Sequence, residues 1–250
     1  MRILITGGSG ILASEITKLF MEFKNFDVFS FPKSRLDITS NNSIKTNLKN
    51  VDPDVIIHTA AITDVALCEK NKKLAWSVNV NGTKKMSNLA RKYNDNILFV
   101  YISTAGVFDG RRGNYTEYSI PYPPNFYALT KIIGEEAIRH TQKNFIIIRT
   151  NFVPKKKWSY DKAFIDRYGT YLFTRDVSYA IKELLNEKKN GTIHITGNKK
   201  ISMYELAKMT TPNIQKMTLK DYNGPPLPRD MSLNTIRWKK YNIGFSYKNI

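Results

Sequence analysis

Apolar bursts alternate with longer amphipathic stretches over the first 150 residues of this 250-residue chain. The bursts "RILIT" (2–6), "FDVFSF" (26–31), "DVIIHTA" (54–60), "ILFVYIST" (97–104) and "FIIIRTNF" (145–152) are rich in β-branched and aromatic residues. Several are continuous apolar runs, which predicts strands covered on both faces, as in a parallel sheet. The stretches between them predict helices over 11–24, 40–49, 72–93 and 126–142. Such strand–helix alternation predicts an α/β fold with a doubly wound parallel sheet. After residue 150 the rhythm loosens. "TRDVSYAIKELLNEK" predicts a helix beginning near Arg175, "GTIHITG" a strand, and "SMYELAKMT" a helix with Ser202 as its N-cap. The last thirty residues, with "GPPLP" at 224–228, read as irregular.

Composition narrows the class without changing this picture. The chain is 42% hydrophobic and 24% charged, as ordinary globular proteins are. No apolar run approaches the ~18–20 residues that span a bilayer, and Arg2 leads into a short strand rather than a secretory leader. No membrane association is expected, and a cytoplasmic setting is. The single cysteine, Cys68, gives no disulfide framework; His58, His140 and His194 are scattered, so no metal site is expected. The net charge of +18 comes from lysines spread over 70–73, 83–85, 155–157 and 187–190, which do not line one helix. That spread reads first as a solvated basic surface, second as an attraction for small anionic substrates, and nucleic acid is not expected as a partner.

"TGGSGILA" places Gly7, Gly10 and Ala13 at three-residue intervals, after a strand and before a helix. Gly7 permits a tight turn, Gly10 lets backbone approach a pyrophosphate, and Ala13 allows close helix–strand packing. Ser9, Ile11 and Leu12 complete the turn and the helix start, whose free N–H groups and partial positive charge favour phosphate. Dinucleotide binding is the prediction. After the second strand no acid appears until Asp37, and Lys33, Ser34 and Arg35 are placed to clamp a ribose 2′-phosphate. That loop favours NADP(H) and leaves NAD(H) open, with Asp37 and Ile38 directed at the adenine.

Tyr127 and Lys131 stand four apart at the start of a helix and so share a face. An ammonium at ~4–6 Å can lower a neighbour's pKa by roughly 1–3 units, which would make the phenol a working proton donor to a carbonyl. "YISTAG" adds the hydroxyls of Ser103 and Thr104 at the carboxyl edge of the sheet, where open α/β sheets bind ligands. A hydroxyl, a phenol and an ammonium at one edge suit carbonyl reduction.

"TGGSGILA", "PDVIIHTAAIT", "SVNVNGT", "FVYISTAGVFDG", "YALTK" and "RDVSYAI" occur in an order and spacing that resemble the extended short-chain dehydrogenases/reductases of the NAD-dependent epimerase/dehydratase superfamily. "VFDG" followed by "YTE", and "LPRDMSLNT" near the end, are similar to signatures of the dTDP-4-dehydrorhamnose reductase branch. The resemblance covers nearly the whole chain. It implies a Rossmann domain over 1–152 and a small C-terminal α/β substrate lobe within 153–250, with a segment around 174–198 returning to the sheet. It also implies an NADPH-dependent reduction of the 4-keto group of a nucleotide-activated deoxysugar, with Thr104, Tyr127 and Lys131 as the catalytic triad. Ala60, Ala61 and Thr63 would line the cofactor channel, and Asn79 would orient the lysine or a structural water beside it. Ser103, Ala105, Asn151 and Phe152 would meet the sugar, and the helices 72–93 and 126–142 would offer a homodimer face.

Two departures keep alternatives open. Ala105-Gly106 stand where the branch carries an acid and a tyrosine, which brings "STAGVF" closer to sugar-nucleotide epimerases and dehydratases with internally recycled cofactor. A dehydratase would need a carboxylate pair, and Asp109 and Glu117 are the candidates. The segment between "RTNFVP" and "RDVSYAI" is also short, leaving "KKKWSYDKAFIDRYGTY" as the remnant of a substrate lid whose Lys155, Lys156 and Lys157 either meet a diphosphate or are solvated. The branch further includes a noncatalytic regulatory subunit of methionine adenosyltransferase, a third reading. Cys68, His58, Trp76, Trp158 and Trp238 read as packing residues and Arg149 as a buried ion-pair partner.

Overall fold

The computed structural model describes residues 1–187 and 189–244. The five apolar bursts become β1 (Arg2–Thr6), β2 (Asp27–Phe31), β3 (Val55–His58), β4 (Leu98–Ile102) and β5 (Phe145–Thr150). With Gly191–Ile195 they form one six-stranded sheet in the order Gly191–Ile195, β5, β4, β3, β1, β2, every neighbour parallel. Register alternates the two faces. Ile5 stands opposite Ile57, which stands opposite Val100, and all three enter one core; Leu4, Ile56 and Phe99, one position back, enter the other. A one-residue slip would exchange these sets, so two-sided burial fixes the pairing.

The helices are α1 (Ile11–Phe20), α2 (Asn41–Val51), α3 (Val65–Lys70), α4 (Lys72–Ala75), α5 (Thr83–Tyr93), α6 (Phe126–Thr141), α7 (Thr174–Asn186) and α8 (Met203–Lys208). Ile16 and Phe20 of α1 and Ile181 and Leu184 of α7 cover one face of the sheet; Ile44 of α2, Met86 of α5 and Ile138 of α6 cover the other. This is the doubly wound, Rossmann-type arrangement. Because β1 lies between β2 and β3, the chain leaves β1 and β3 toward opposite sides, and a crevice opens at their carboxyl ends.

Differences from the sequence-based elements have local causes. α1 stops at Phe20 rather than 24, and the expected 72–93 helix is divided by a π-helical turn, Trp76–Gly82. α3 is six residues long, too short to show a period, and is started by the Asp64 carboxylate accepting from the Leu67 amide. Ser202 caps α8 in a reciprocal pair with Glu205. The segment expected as a lid remnant folds into short pairings. Phe152–Val153 joins Leu172–Phe173, Lys162–Phe164 joins Gln215–Met217, and Tyr168–Gly169 joins Ile201–Ser202. The last six residues of the predicted irregular tail, 245–250, lie outside the described residues. Among the described residues no helix is long and apolar enough to cross a membrane.

Candidate active site

A cleft of about 760 Å³ runs along the carboxyl ends of the strands, from the glycine turn to the start of α6. At its first end Gly7 has φ +70°, and a Cβ there would lie 2.8 Å from the Ala60 backbone. The turn therefore needs glycine for conformation and for space. Gly8, which the motif spacing passes over, is the weld to β2: its amide donates to the Phe31 carbonyl at 2.8 Å, and a Cβ would meet Phe31 backbone at 2.9 Å. Gly10 donates to the Gly7 carbonyl and caps α1 without a side chain; no acid occupies the first turn. The helix start is thus left for an anion, with Ser9, Ile11 and Leu12 beside it.

Along the second-strand side, Lys33, Asp37 and Ile38 border the cleft. Ser34 and Arg35 do not: the Arg35 guanidinium lies 4.0 Å from the centre of the Phe31 ring. Asp37 accepts from the Thr39 hydroxyl at 2.7 Å and amide at 2.8 Å, bonds that lower its pKa below the usual carboxylate range. Ala60, Ala61 and Thr63 border the cleft from the loop after β3. Asn79, in the π turn, is 1% exposed and lies behind that loop. It accepts from the Ile62 amide at 2.7 Å and donates to the Ile62 carbonyl at 2.9 Å and the Thr130 hydroxyl at 3.0 Å. It therefore reaches α6 through Thr130, where the resemblance implied Lys131 or a water beside it. π turns of this kind often mark functional sites.

At the far end two side chains fix the first turn of α6. Asn125 accepts from the Ala128 amide at 2.9 Å, and Glu69 on α3 accepts from the Phe126 amide at 2.7 Å. Tyr127, one residue further, stands beside the Thr104 side chain, and the Lys131 ammonium sits 4.0 Å from the centre of the Tyr101 ring. Thr104, Tyr127 and Lys131 all border the cleft. The electrostatics differ from the expectation that lysine lowers the phenol. Burial pushes the Tyr127 phenol up, and the Thr104 side chain opposes this. Burial also brings Lys131 down to about 7, against the pull of Glu135. Desolvation is the leading influence on both groups, and neither shift is set mainly by the other.

The four residues assigned to the sugar separate. Asn151 and Phe152 border the cleft. Ser103 borders it too, and its hydroxyl donates to Glu135 at 2.6 Å, which spends its one proton inside the protein. Ala105 is fully buried as the first residue of a 3₁₀ turn and lines no part of the cleft. Thr150, which the sequence reading omitted, borders the cleft with a buried hydroxyl that has no partner in the protein. Lys155, Lys156 and Lys157 are exposed, and the Lys155 ammonium stands 5.7 Å from the Phe173 ring.

The remaining candidates serve structure. Asp109 accepts from Tyr115 at 2.5 Å, and Glu117 accepts from the His194 amide and Thr235 hydroxyl; neither borders the cleft. Among the described residues Asp37 is the one carboxylate that does. His58 is held between Thr6 and Thr83, and burial lowers its pKa to about 3. Cys68 is fully buried and burial raises its pKa to about 11. Arg149 pairs with Glu135 at 2.7 Å, both buried.

The family described as "RmlD substrate binding domain" matches residues 1–223. The chain is 30% identical over 227 residues to a dTDP-4-dehydrorhamnose reductase of Aggregatibacter actinomycetemcomitans, covering 82% of this chain and 76% of that one. It is 26% identical over 282 residues to methionine adenosyltransferase 2 subunit beta of Xenopus laevis, covering 97% and 83%. The dTDP-4-dehydrorhamnose reductase structure from Bacillus anthracis in complex with NADP superposes with a TM-score of 0.84 at 25% identity, covering 93% and 90%.

Proposed function

The chain belongs to the RmlD substrate binding domain family, and from that premise we propose that it is an NADPH-dependent oxidoreductase acting on nucleotide sugars. Its reaction is reduction of the 4-keto group of a nucleotide-activated deoxysugar, the type named for its dTDP-4-dehydrorhamnose reductase relatives. The observation that carries this reading is the placement of Thr104, Tyr127 and Lys131 in the same cleft as the side-chain-free start of α1.

The residues fit the cofactor. Gly7, Gly10 and the start of α1 would hold the pyrophosphate, Lys33 the 2′-phosphate, Asp37 and Ile38 the adenosine, and Ala60, Ala61 and Thr63 the nicotinamide half. A reduced nicotinamide, when bound, supplies the hydride. Thr104 donates a hydrogen bond to the sugar carbonyl oxygen and Tyr127 transfers its phenolic proton there as negative charge develops. A phenol raised by burial holds that proton until the oxygen becomes basic enough to take it. Positioned proton transfer of this kind contributes about 10²–10⁴-fold. Lys131 in its charged form stabilises the phenolate left behind. Asn151, Phe152 and Thr150, at the end of β5, would meet the sugar. Residues 1–152 with the segment around 174–198 make the cofactor half, and the rest of 153–250 the substrate lobe. The basic surface attracts the anionic nucleotide sugar; a cytoplasmic setting and a homodimer through the 72–93 and 126–142 helices complete the reading.

A dehydratase reading lacks its carboxylate pair, since Asp109 and Glu117 lie outside the cleft. The test is to follow NADPH absorbance and sugar products with dTDP-4-keto-6-deoxyhexose. One NADPH oxidised per sugar reduced is the expected result. Binding of NADPH without any turnover would overturn it in favour of a regulatory subunit, and sugar conversion without NADPH loss in favour of internal recycling.

A further inference from the structure

Glu135 lies one helical turn beyond Lys131 on α6, and it is fully buried. Its carboxylate takes four bonds from three elements. Ser103 at the end of β4 donates to Oε1 at 2.6 Å. Arg149 on β5 grips both oxygens, Nε to Oε1 at 2.9 Å and Nη2 to Oε2 at 2.7 Å. Arg139, a further turn along α6, reaches Oε2 at 3.2 Å and also bonds Thr192 on the neighbouring strand at 2.8 Å. A buried ion cluster is weak evidence of stabilisation, because desolvation offsets most of the attraction. Its place in the fold suggests a different use. Ser103 precedes Thr104 directly, and Glu135 shares a helix face with Tyr127 and Lys131. The bond between them is thus a direct tie between the strand bearing one catalytic hydroxyl and the helix bearing the phenol and the ammonium.

We propose that Glu135 is a positioning residue for the reduction: clamped by Ser103 and Arg149, it sets Thr104 against Tyr127 and presents a fixed negative charge one turn from the Lys131 ammonium. This deepens the proposed function and rests on that reading. The charged and titratable groups around Lys131 are His58 on β3, Tyr101 on β4, Tyr127 and Glu135 on α6, Arg149 behind Glu135 on β5, and Cys68 on α3 beside Tyr127. Of the influences acting on Lys131, burial favours the neutral amine and Glu135 favours the ammonium. A structural ion pair alone would affect how much protein folds; a positioning charge also affects where Lys131 titrates.

The experiment joins two readouts. The first is a ¹³C NMR titration of the Lys131 side chain in the ligand-free protein, which needs no turnover. The second is the pH profile of kcat for NADPH-dependent reduction. In folded Glu135→Gln we expect the Lys131 midpoint and the alkaline limb of kcat to move down together by about one pH unit, and Glu135→Asp to restore most of the shift. In Ser103→Ala, which leaves all three arginine bonds in place, the limb should stay where it is while kcat falls about tenfold and KM for NADPH changes less than threefold. A folded Glu135→Gln protein with an unmoved Lys131 midpoint overturns the proposal. If that variant does not fold, Ser103→Ala decides, and an undiminished kcat overturns it. A parent protein that reduces no sugar would sink the reductase reading while leaving the NMR result to stand or fall separately.

Discussion

The two ends of the cleft are built by opposite means. The phosphate end works by omitting side chains: Gly7 and Gly8 let the turn press on the Ala60 and Phe31 backbones, and Gly10 leaves the start of α1 uncapped. The end at α6, proposed as catalytic, is filled with buried polar side chains, each held by another. Asn79 braces Ile62 and Thr130, Glu69 caps α6, and Glu135 ties Ser103 to Arg149. The glycines of the first device stand within four consecutive residues, Gly7 to Gly10. The second joins residues 14 to 57 positions apart. The difference teaches that binding and turnover can be damaged separately.

Gly7→Ala should produce the largest effect. Left-handed strain of roughly 1–2 kcal/mol, added to the Ala60 collision, should weaken NADPH binding about 100-fold by fluorescence titration and lower the unfolding midpoint, with kcat at saturating NADPH little changed. Acid comes next and strikes the catalytic side. His58 titrates near 3 in the folded protein, below its ordinary 6.5, because it is buried. Above pH 6.5 the ring is neutral in both folded and unfolded chains. Below it the unfolded chain takes up a proton that the folded one refuses, so stability falls as pH drops, by about 1.4 kcal/mol per unit from this residue. Denaturant unfolding at pH 6.5 and 4.5 should show a pH slope that is shallower by that amount in His58→Asn.

Asn79→Ala should invert the Gly7 result. It removes the brace behind the loop after β3, so kcat should fall about tenfold and stability by about 1–3 kcal/mol, while NADPH affinity stays within threefold. Lys33→Ala should be the smallest and most selective change. NADPH affinity should fall about tenfold with NADH affinity unaltered, since one charge-assisted bond to a 2′-phosphate is lost. Equal losses for both cofactors would place the 2′-phosphate elsewhere.

What could be read from the sequence follows the same division. The strands, most of the longer helices and the glycine turn were legible because they rest on periodicity and on one residue's steric needs. α3 and the short pairings after residue 150 were not, since elements of two to six residues show no period. Tyr127 and Lys131 could be paired by spacing and Thr104 was named through the resemblance, but the side chains that hold them in place could not be read. Nothing in "ALCEK" announces a cap for a helix 57 residues later. The resemblance assigned Ser103 and Ala105 to the sugar; Ala105 is buried in the 3₁₀ turn that follows β4, and the Ser103 hydroxyl donates to Glu135. The capless start of α1 shows why a pattern of absences survives in sequence better than a network of partners.

The account rests on Tyr127 as the proton donor, and Tyr127→Phe tests it most directly. NADPH binding and single-turnover reduction of a dTDP-4-keto-6-deoxyhexose should be measured on the same folded sample. The predicted result is NADPH affinity within threefold of the parent and a reduction rate lower by at least about 100-fold. Reduction at the parental rate by the phenylalanine protein would contradict the account.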